Sequence, residues 1–244
     1  GRLPSVTGIN YEALVPNMKG YEHAVAAGVK TVSLVLGATD TFNRKNLNMS
    51  LTETIAVCVA VLERARHDGI KPRAYISCAT ACPYEGRFSS DVVFELAARM
   101  FDAGAHDVIV ADSIGAGNPA QITHLFGTLA GRYGAERLAG HFHDTRGLGL
   151  ALTWAALECG IRTFDSSIGG LGGCPFAPGA TGNLATEDLV FMLEESGFET
   201  GIDMAGLQAA VAVAEAQVGQ TLGGRIMTWY RSQEQRQQAK ALSA

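Results

Sequence analysis

The sequence predicts an α/β fold, and more narrowly a (β/α)₈ barrel of which this chain supplies six strand–helix units. Three observations lead to that prediction. β-rich runs alternate with helical patterns at intervals of about 20–40 residues, the length of one strand–helix unit. Polar residues stand where the strands end, and barrel active sites are built at that face. No G-x-G-x-x-G follows the first strand, which disfavours a dinucleotide-binding sheet.

Six short runs have the composition of buried strands, and helical patterns lie between them. The strands are expected at 9–15, 31–36, 74–78, 107–111, 138–143 and 163–167. Ser50 and Glu53 form a capping box for a helix that ends at Gly69. Asn118 followed by Pro119 starts another helix. Repeated units of this kind build a parallel sheet, which is either a barrel or an open doubly wound sheet.

The chain contains six predicted strands, fewer than a complete barrel has. A complete barrel needs eight strands and typically about 250 residues. We therefore expect a barrel that lacks its first two strands in this chain. Residues 1–232 are expected to form a single catalytic barrel domain that is incomplete at its amino terminus. The polar, Gln-rich residues 233–244 are expected to form a tail that frays.

The composition of the 244 residues excludes several classes of protein. With 47% hydrophobic residues and a net charge of −5, neither intrinsic disorder nor nonspecific nucleic-acid binding is expected. No apolar run reaches membrane-spanning length, so no membrane partner is expected. Five cysteines in a chain of this size argue against a secreted disulfide scaffold and favour a reducing compartment. The start Gly-Arg-Leu-Pro, without Met, suggests a processed chain or a fragment.

His141 and His143 form the strongest chemical pattern in the chain. They lie two residues apart at the end of a predicted strand, so their side chains face the same way. Two imidazoles on one face are able to ligate one metal ion, although two ordinary polar residues at a strand end give the same pattern. The sequence therefore predicts a metal site here.

A glycine-rich loop after the last strand supplies further candidates. Residues 169–179 read GGLGGCPFAPG, and a loop of this kind moves as a lid or lets backbone approach a ligand. Cys174 is a candidate acid, base or nucleophile there, against the alternative of an incidental thiol. Asn183 is either a helix-capping residue or a neutral oxygen ligand. Asp112, which follows the fourth strand, is either a polar group at the barrel mouth or an anchor for its loop.

Taken together, these motifs resemble the 3-hydroxy-3-methylglutaryl-CoA lyases, which belong to the metal-dependent, pyruvate-carboxyltransferase-like barrel family. The matching stretches are YEALVPNMK at 11–19, FNRKNLN at 42–48, YISCATACPYEG at 75–86, ADSIG at 111–115, HFHDT at 141–145 and DSSIGGLGGCPFAPGATGNLATED at 165–188. The H-x-H pair is shared with the wider family, whereas CPYEG and GLGGCP are far more particular to the lyases.

The resemblance implies a function and a set of site residues. It implies cleavage of a 3-hydroxy-3-methylglutaryl thioester to acetoacetate and acetyl-CoA, with Mg²⁺ or Mn²⁺ as cofactor. His141, His143 and Asn183 match metal ligands. Cys174 matches a catalytic cysteine on the mobile loop, where Gly172 and Gly173 are expected to approach substrate. Asp112 matches a polar active-site residue.

The resemblance also implies partners and a location. The expected partner is a small CoA thioester, and the expected assembly is a homodimer. The expected compartment is the bacterial cytosol, or the mitochondrial matrix if the source is eukaryotic.

Departures from the family pattern leave alternatives open. Gly169 stands where Ala is usual, and Phe176 replaces Tyr. The family's first strand supplies an Arg-Asp pair and its second a Glu, and none of these is found here, so this chain alone is expected to be inactive. Two other readings remain, an acetyl-CoA-dependent condensing enzyme and a non-catalytic remnant.

Overall fold

The structure is a computed structural model that describes residues 8–173 and 182–242. Within these residues six strands alternate with helices. The strands are β1 (Glu12–Leu14), β2 (Thr31–Gly37), β3 (Lys71–Ser77), β4 (Asp107–Asp112), β5 (Leu138–Phe142) and β6 (Phe164–Asp165). The helices are α1 (Met18–Ala26), α2 (Asp40–Leu47), α3 (Leu51–His67), α4 (Ser90–Asp102), α5 (Pro119–Tyr133), α6 (Gly149–Glu158), α7 (Thr186–Glu195), α8 (Met204–Val218) and α9 (Arg225–Leu242). All six predicted strands are confirmed, with shifted ends.

The strands form one parallel sheet whose spatial order follows the chain, from β1 to β6. An open doubly wound sheet reverses its strand order, so this order supports the barrel prediction. A long-range hydrogen bond shows the curvature. The Tyr75 hydroxyl on β3 donates to the Asp165 carboxylate on β6 at 2.5 Å. In a flat sheet these strands would lie about 14 Å apart. The sheet is therefore curled into a half-barrel.

Alternation along each strand separates a hydrophobic outer face from a polar inner face. Val32, Leu34 and Leu36 of β2 point outward into the main core, together with Ala74 and Ile76 of β3. The core lies between this convex face and the helices that pack on it. The concave face carries mainly polar side chains. Because side chains alternate along a strand, the outer face of the sheet packs in the core and the inner face is left to form a site.

The helices begin where short-range sequence signals place them. Ser50 accepts from the Glu53 amide and the Glu53 carboxylate accepts from the Ser50 amide, so the predicted capping box of α3 is confirmed. The Asn118 side chain accepts from the Gln121 amide at the start of α5. These caps satisfy amide groups that a helix leaves without partners at its first turn.

Most of the residues expected to form a fraying tail continue the last helix of the described chain. Helix α9 runs without a break from Arg225 to Leu242, so residues 233–242 form its second half. This part of α9 is polar and mostly exposed, because helical spacing leaves it without a continuous apolar stripe. Among the helices of the described residues, none is both long enough and apolar enough to cross a membrane.

Candidate metal and active site

The concave face of the half-barrel encloses a cavity of about 730 Å³. It is lined by the inward-facing residues of neighbouring strands, which include Glu12, Ser33, Tyr75, Ser77, Ala111, Ser113, His141 and Asp165. Because every second residue of a strand faces inward, these side chains meet although their elements lie far apart in the chain. A concave pocket with a few converging polar groups is the usual form of a small-molecule site.

The rings of His141 and His143 lie side by side at the carboxyl end of β5. Their centroids are 5.4 Å apart, with an angle of 52° between the ring planes. The rings therefore lie on the same side of the strand, as a shared metal ion requires. His141 is the last inward-facing residue of β5, and His143 follows the strand directly.

At this end of β5, two buried polar side-chain atoms have no hydrogen-bond partner among the described residues. They are Nδ1 of His143 and Oδ1 of Asn183. The two residues are also joined by a backbone bridge of antiparallel type. Burial lowers the pKa of His143 to about 4, helped by His141 and opposed by Asp112. His143 is therefore neutral at pH 7, and a neutral imidazole is the form that binds metal.

The absence of a side chain at Gly172 leaves the space that the Asn183 side chain occupies. Gly172 has φ +97°, and a Cβ there would lie only 2.8 Å from Asn183 Nδ2. Asn183 Nδ2 donates to the Leu171 carbonyl at 2.8 Å, which turns Oδ1 the other way. The Gly182 amide donates to the Gly172 carbonyl at 3.0 Å and closes the base of the glycine loop.

These residues fit a divalent cation as part of its ligand set. His141, His143 and Asn183 offer two imidazoles and an amide oxygen, and the two unpartnered atoms would be satisfied by an ion. The donors are all neutral, whereas Mg²⁺ and Mn²⁺ prefer carboxylates. Across 8–173 and 182–242, no group of three His, Cys, Asp or Glu side chains is arranged to hold a metal. With these three donors alone, a hard cation is expected to bind weakly.

The Asp112 carboxylate is fully buried and holds a loop. It accepts from the Thr80 hydroxyl, from the Ala116 amide at 3.0 Å and from the Gly117 amide at 2.9 Å. Asp112 pairs in register with Phe142, whose side chain belongs to the core. Its side chain is thus directed to the loop at 115–117 and is not among the residues lining the cavity. The hydrogen bonds of Asp112 show a structural role, which is to hold the loop at 115–117. Its catalytic role stays a prediction.

The remaining predicted residues lie on the glycine loop. Gly173 is the last loop residue described before position 174, and Gly172 acts as the packing partner of Asn183. Cys174 lies outside the described residues. Its predicted role in proton transfer is therefore still a prediction.

Two site residues that sequence reasoning left unassigned are Tyr75 and Asp165. Asp165 Oδ2 lies 3.2 Å from His141 Nδ1 and accepts from the Tyr75 hydroxyl. Burial opposes ionisation of Asp165, yet its hydrogen bonds with His141 and Tyr75 lower its pKa overall. Strand alternation predicts that the Tyr75 side chain faces the inner side of the sheet. It does not predict the contact of Tyr75 with Asp165 on β6, which depends on the curl of the sheet.

Comparisons with known proteins agree with this fold. A family model described as HMGL-like matches residues 9–213. Over 95% of this chain and 74% of the relative, the chain is 42% identical to hydroxymethylglutaryl-CoA lyase of Pseudomonas mevalonii. It is 45% identical to the mitochondrial hydroxymethylglutaryl-CoA lyase of Rattus norvegicus, over 83% of this chain and 62% of that protein. The chain thus spans between three fifths and three quarters of these relatives.

A solved structure of a lyase with the same name has a similar fold. It is an HMG-CoA lyase from Acinetobacter baumannii in complex with coenzyme A and 3-methylmalate. It superposes with a TM-score of 0.89 at 37% identity, over 93% of this chain and 74% of that one. Since the family model covers most of the chain and a relative above 40% identity covers nearly all of it, this chain belongs to the HMGL-like family.

Proposed function

We propose that this chain is a carbon–carbon lyase that cleaves 3-hydroxy-3-methylglutaryl-CoA to acetoacetate and acetyl-CoA. The observation that carries the proposal is the pair of buried atoms without partners, His143 Nδ1 and Asn183 Oδ1, beside His141 at the open end of the half-barrel. Membership of the HMGL-like family supports the same reaction, because its relatives above 40% identity are named for it.

The reaction is a retro-Claisen cleavage. A base removes the proton of the tertiary hydroxyl, and its oxygen then forms the ketone of acetoacetate as the carbon–carbon bond breaks. The electron pair of that bond passes to the thioester fragment as an enolate, which gains a proton to become acetyl-CoA. A bound Mg²⁺ or Mn²⁺ would supply Lewis acidity that lowers the energy of the deprotonated hydroxyl.

Each site residue has a proposed part in this chemistry. His141, His143 and Asn183 would hold the cation, and Gly172 leaves space for the Asn183 amide. We propose Cys174 as the group that transfers a proton at the enolate carbon, because it matches the catalytic cysteine of the lyases that this chain resembles and a thiol is able to act as a general acid.

The proposed substrate is a CoA thioester. The structure from Acinetobacter baumannii contains coenzyme A with 3-methylmalate, and it superposes on nearly all of this chain. The cavity of about 730 Å³ on the concave face has room for a branched acyl group. We also propose a homodimer, located in bacterial cytosol or, for a eukaryotic source, in the mitochondrial matrix.

The activity test measures acetoacetate released from 3-hydroxy-3-methylglutaryl-CoA in the presence of Mg²⁺ or Mn²⁺. The Pseudomonas mevalonii lyase is the positive control. We expect metal-dependent release that His141→Ala abolishes. The rate should be at least about 100-fold below the control, because the three proposed ligands offer no carboxylate to the cation and no Lys or Arg lines the described part of the cavity to stabilise the enolate. A rate equal to the control would show that another residue supplies these groups.

Two further arms separate the alternatives. A condensing enzyme would release free CoA from acetyl-CoA and a 2-oxo acid, and condensation without cleavage would contradict the proposal. Cys174→Ser is expected to lower kcat about 100-fold or more with little change in KM, because the thiol transfers a proton and does not hold CoA. Unchanged turnover in Cys174→Ser would remove this cysteine from the mechanism.

A further inference from the structure

Asp165 and His141 face each other across the last strand pair of the described sheet. They are partners in the register of β5 and β6, and Asp165 Oδ2 lies 3.2 Å from His141 Nδ1. An ionised carboxylate only accepts hydrogen bonds, so the proton between them is carried by Nδ1. The tautomer with its proton on Nδ1 has its lone pair on Nε2.

Tyr75, on β3, holds the same oxygen of this carboxylate. Its hydroxyl donates to Asp165 Oδ2 at 2.5 Å, and its ring meets the His141 ring edge-to-face, with centroids 5.9 Å apart. The side chains of His141 and Asp165 are about one quarter exposed, at 26% and 25%. Both groups contact Oδ2 of Asp165 and so restrict the rotation of its carboxylate, and a fixed carboxylate fixes the ring beside it.

We propose that Asp165 is a positioning residue for His141, which sets the Nδ1–H tautomer and aims Nε2 at the cation, and that Tyr75 holds Asp165 in place. This inference rests on the proposed function, because it assumes that His141 binds a metal ion. Metal-binding histidines commonly donate their second N–H to a carboxylate, and loss of that partner typically lowers metal affinity about 10–100-fold. Neither Asp165 nor Tyr75 needs to touch the cation.

The binding test uses Ni²⁺ alone as the probe, because imidazole ligands bind Ni²⁺ more tightly than Mn²⁺. Calorimetry gives Kd for the 244-residue chain and four variants. Asp165→Asn should weaken binding about 10–100-fold, and Tyr75→Phe should weaken it less. Asp107→Asn is the matched control. It removes a buried carboxylate that pairs with Arg73 at the amino end of β4, so it should lower stability and leave Kd within about twofold.

The fourth variant, His141→Ala, separates the two proposals. If His141→Ala binds Ni²⁺ as the unchanged chain does, or if the unchanged chain binds none, the metal site of the proposed function is wrong, and the role of Asp165 is wrong with it. If His141→Ala loses binding but Asp165→Asn keeps the Kd of the unchanged chain, the metal site stands and only the positioning role is overturned.

A second measurement does not depend on any variant folding. Nitrogen-15 spectra of the imidazole rings at pH 8, without metal, report which ring nitrogen carries the proton. We expect the Nδ1–H form for His141. The Nε2–H form, which is the commoner tautomer of free histidine, would overturn the positioning role, because Asp165 would then face an unprotonated nitrogen.

Discussion

Asp112 shows at the scale of one residue how a buried carboxylate is used for structure. It is 0% exposed, and two backbone amides and one hydroxyl donate to it. Asp112→Asn turns part of this acceptor set into an N–H₂ group that faces donors. We expect the free energy of unfolding to fall by about 1–3 kcal/mol in urea titrations.

The control for this prediction is Asp102→Asn at the exposed end of α4, which makes the same chemical change without a buried network. It should alter stability by less than about 0.5 kcal/mol. Equal stabilities for the two variants would contradict the anchoring role of Asp112.

The buried thiol of Cys58 is expected to make the molecule less stable at alkaline pH. Burial raises the pKa of its thiol from 9.0 to about 12, since the side chain is 1% exposed in the core. The unfolded chain releases this proton near pH 9 and the folded chain retains it, so the free energy of unfolding falls as pH rises from 9 toward 12. The fall is about 1 kcal/mol per pH unit.

The measurement compares the unchanged chain with Cys58→Ala by urea unfolding at pH 8, 9 and 10, with reductant present. Cys58→Ala lacks the thiol, so the stability difference between the two proteins should shrink above pH 9. A difference that stays constant over this range would show that Cys58 is not the titrating group.

At the scale of elements, α7 organises both the base of the glycine loop and the start of α9. Glu187 is fully buried and accepts from the Gly169 amide at 3.1 Å and the Gly224 amide at 2.7 Å. The Asp188 carboxylate accepts from the amides of Arg225 and Ile226, at 2.9 and 2.8 Å. Two adjacent acidic residues therefore tie three distant segments together.

Asp188 serves as the amino-terminal cap of α9, although it lies in another helix. Asp188→Ala should leave the first amides of α9 without acceptors and weaken that turn by about 1–2 kcal/mol. Hydrogen exchange at Arg225 and Ile226 should then be about 5–30-fold faster. Asp203→Ala, which removes the cap of α8, is the matched control and should speed exchange at Ala205 and Gly206 instead. Faster exchange at α9 in both variants would contradict a local cap.

At the scale of the whole molecule, the half-barrel has an edge strand with apolar neighbours. In the part of the chain that the structure describes, β1 pairs on one side only, with β2. Leu14 on β1 is 65% exposed, and Ile9 just before it is 54% exposed. Open edges with apolar side chains pair with other chains. We therefore expect concentration-dependent self-association of the 244-residue chain in sedimentation experiments.

The test of this edge is Leu14→Lys, because an inward charge on an edge strand disfavours pairing. It should shift the chain toward monomer. Val213→Lys on α8 is the control, since Val213 is 64% exposed and far from the edge in the chain. If both variants associate as the unchanged chain does, self-association does not use β1.

The fold could be predicted from sequence because its signals are local. The capping box at Ser50 and the Asn118-Pro119 start depend on residues within one helical turn, and both are confirmed. The polar composition of residues 233–244 predicts a fraying tail, and the structure continues helix α9 through residues 233–242, so the fraying itself stays a prediction. The contact of Tyr75 with Asp165 depends on sheet curvature, which no local pattern contains.

The candidate site was predictable only as far as residue types and spacing reach. The H-x-H spacing gave two imidazoles on one side, and the structure places their rings 5.4 Å apart. The unpartnered atoms of His143 and Asn183 became visible only in three dimensions, since they depend on burial. The sequence left Asp112 with two possible roles, at the barrel mouth or as the anchor of a loop. Which face of the sheet its side chain lies on depends on its register with Phe142, which the sequence does not contain.

The central claim is that His141, His143 and Asn183 form one side of a divalent metal site, and diffraction tests it most directly. Crystals of the chain soaked in Mn²⁺ should show an anomalous peak within about 2.5 Å of a nitrogen of each histidine and of Asn183 Oδ1. The same soak of His141→Ala crystals should lose the peak. Anomalous peaks elsewhere, with none between these three side chains, would contradict the claim.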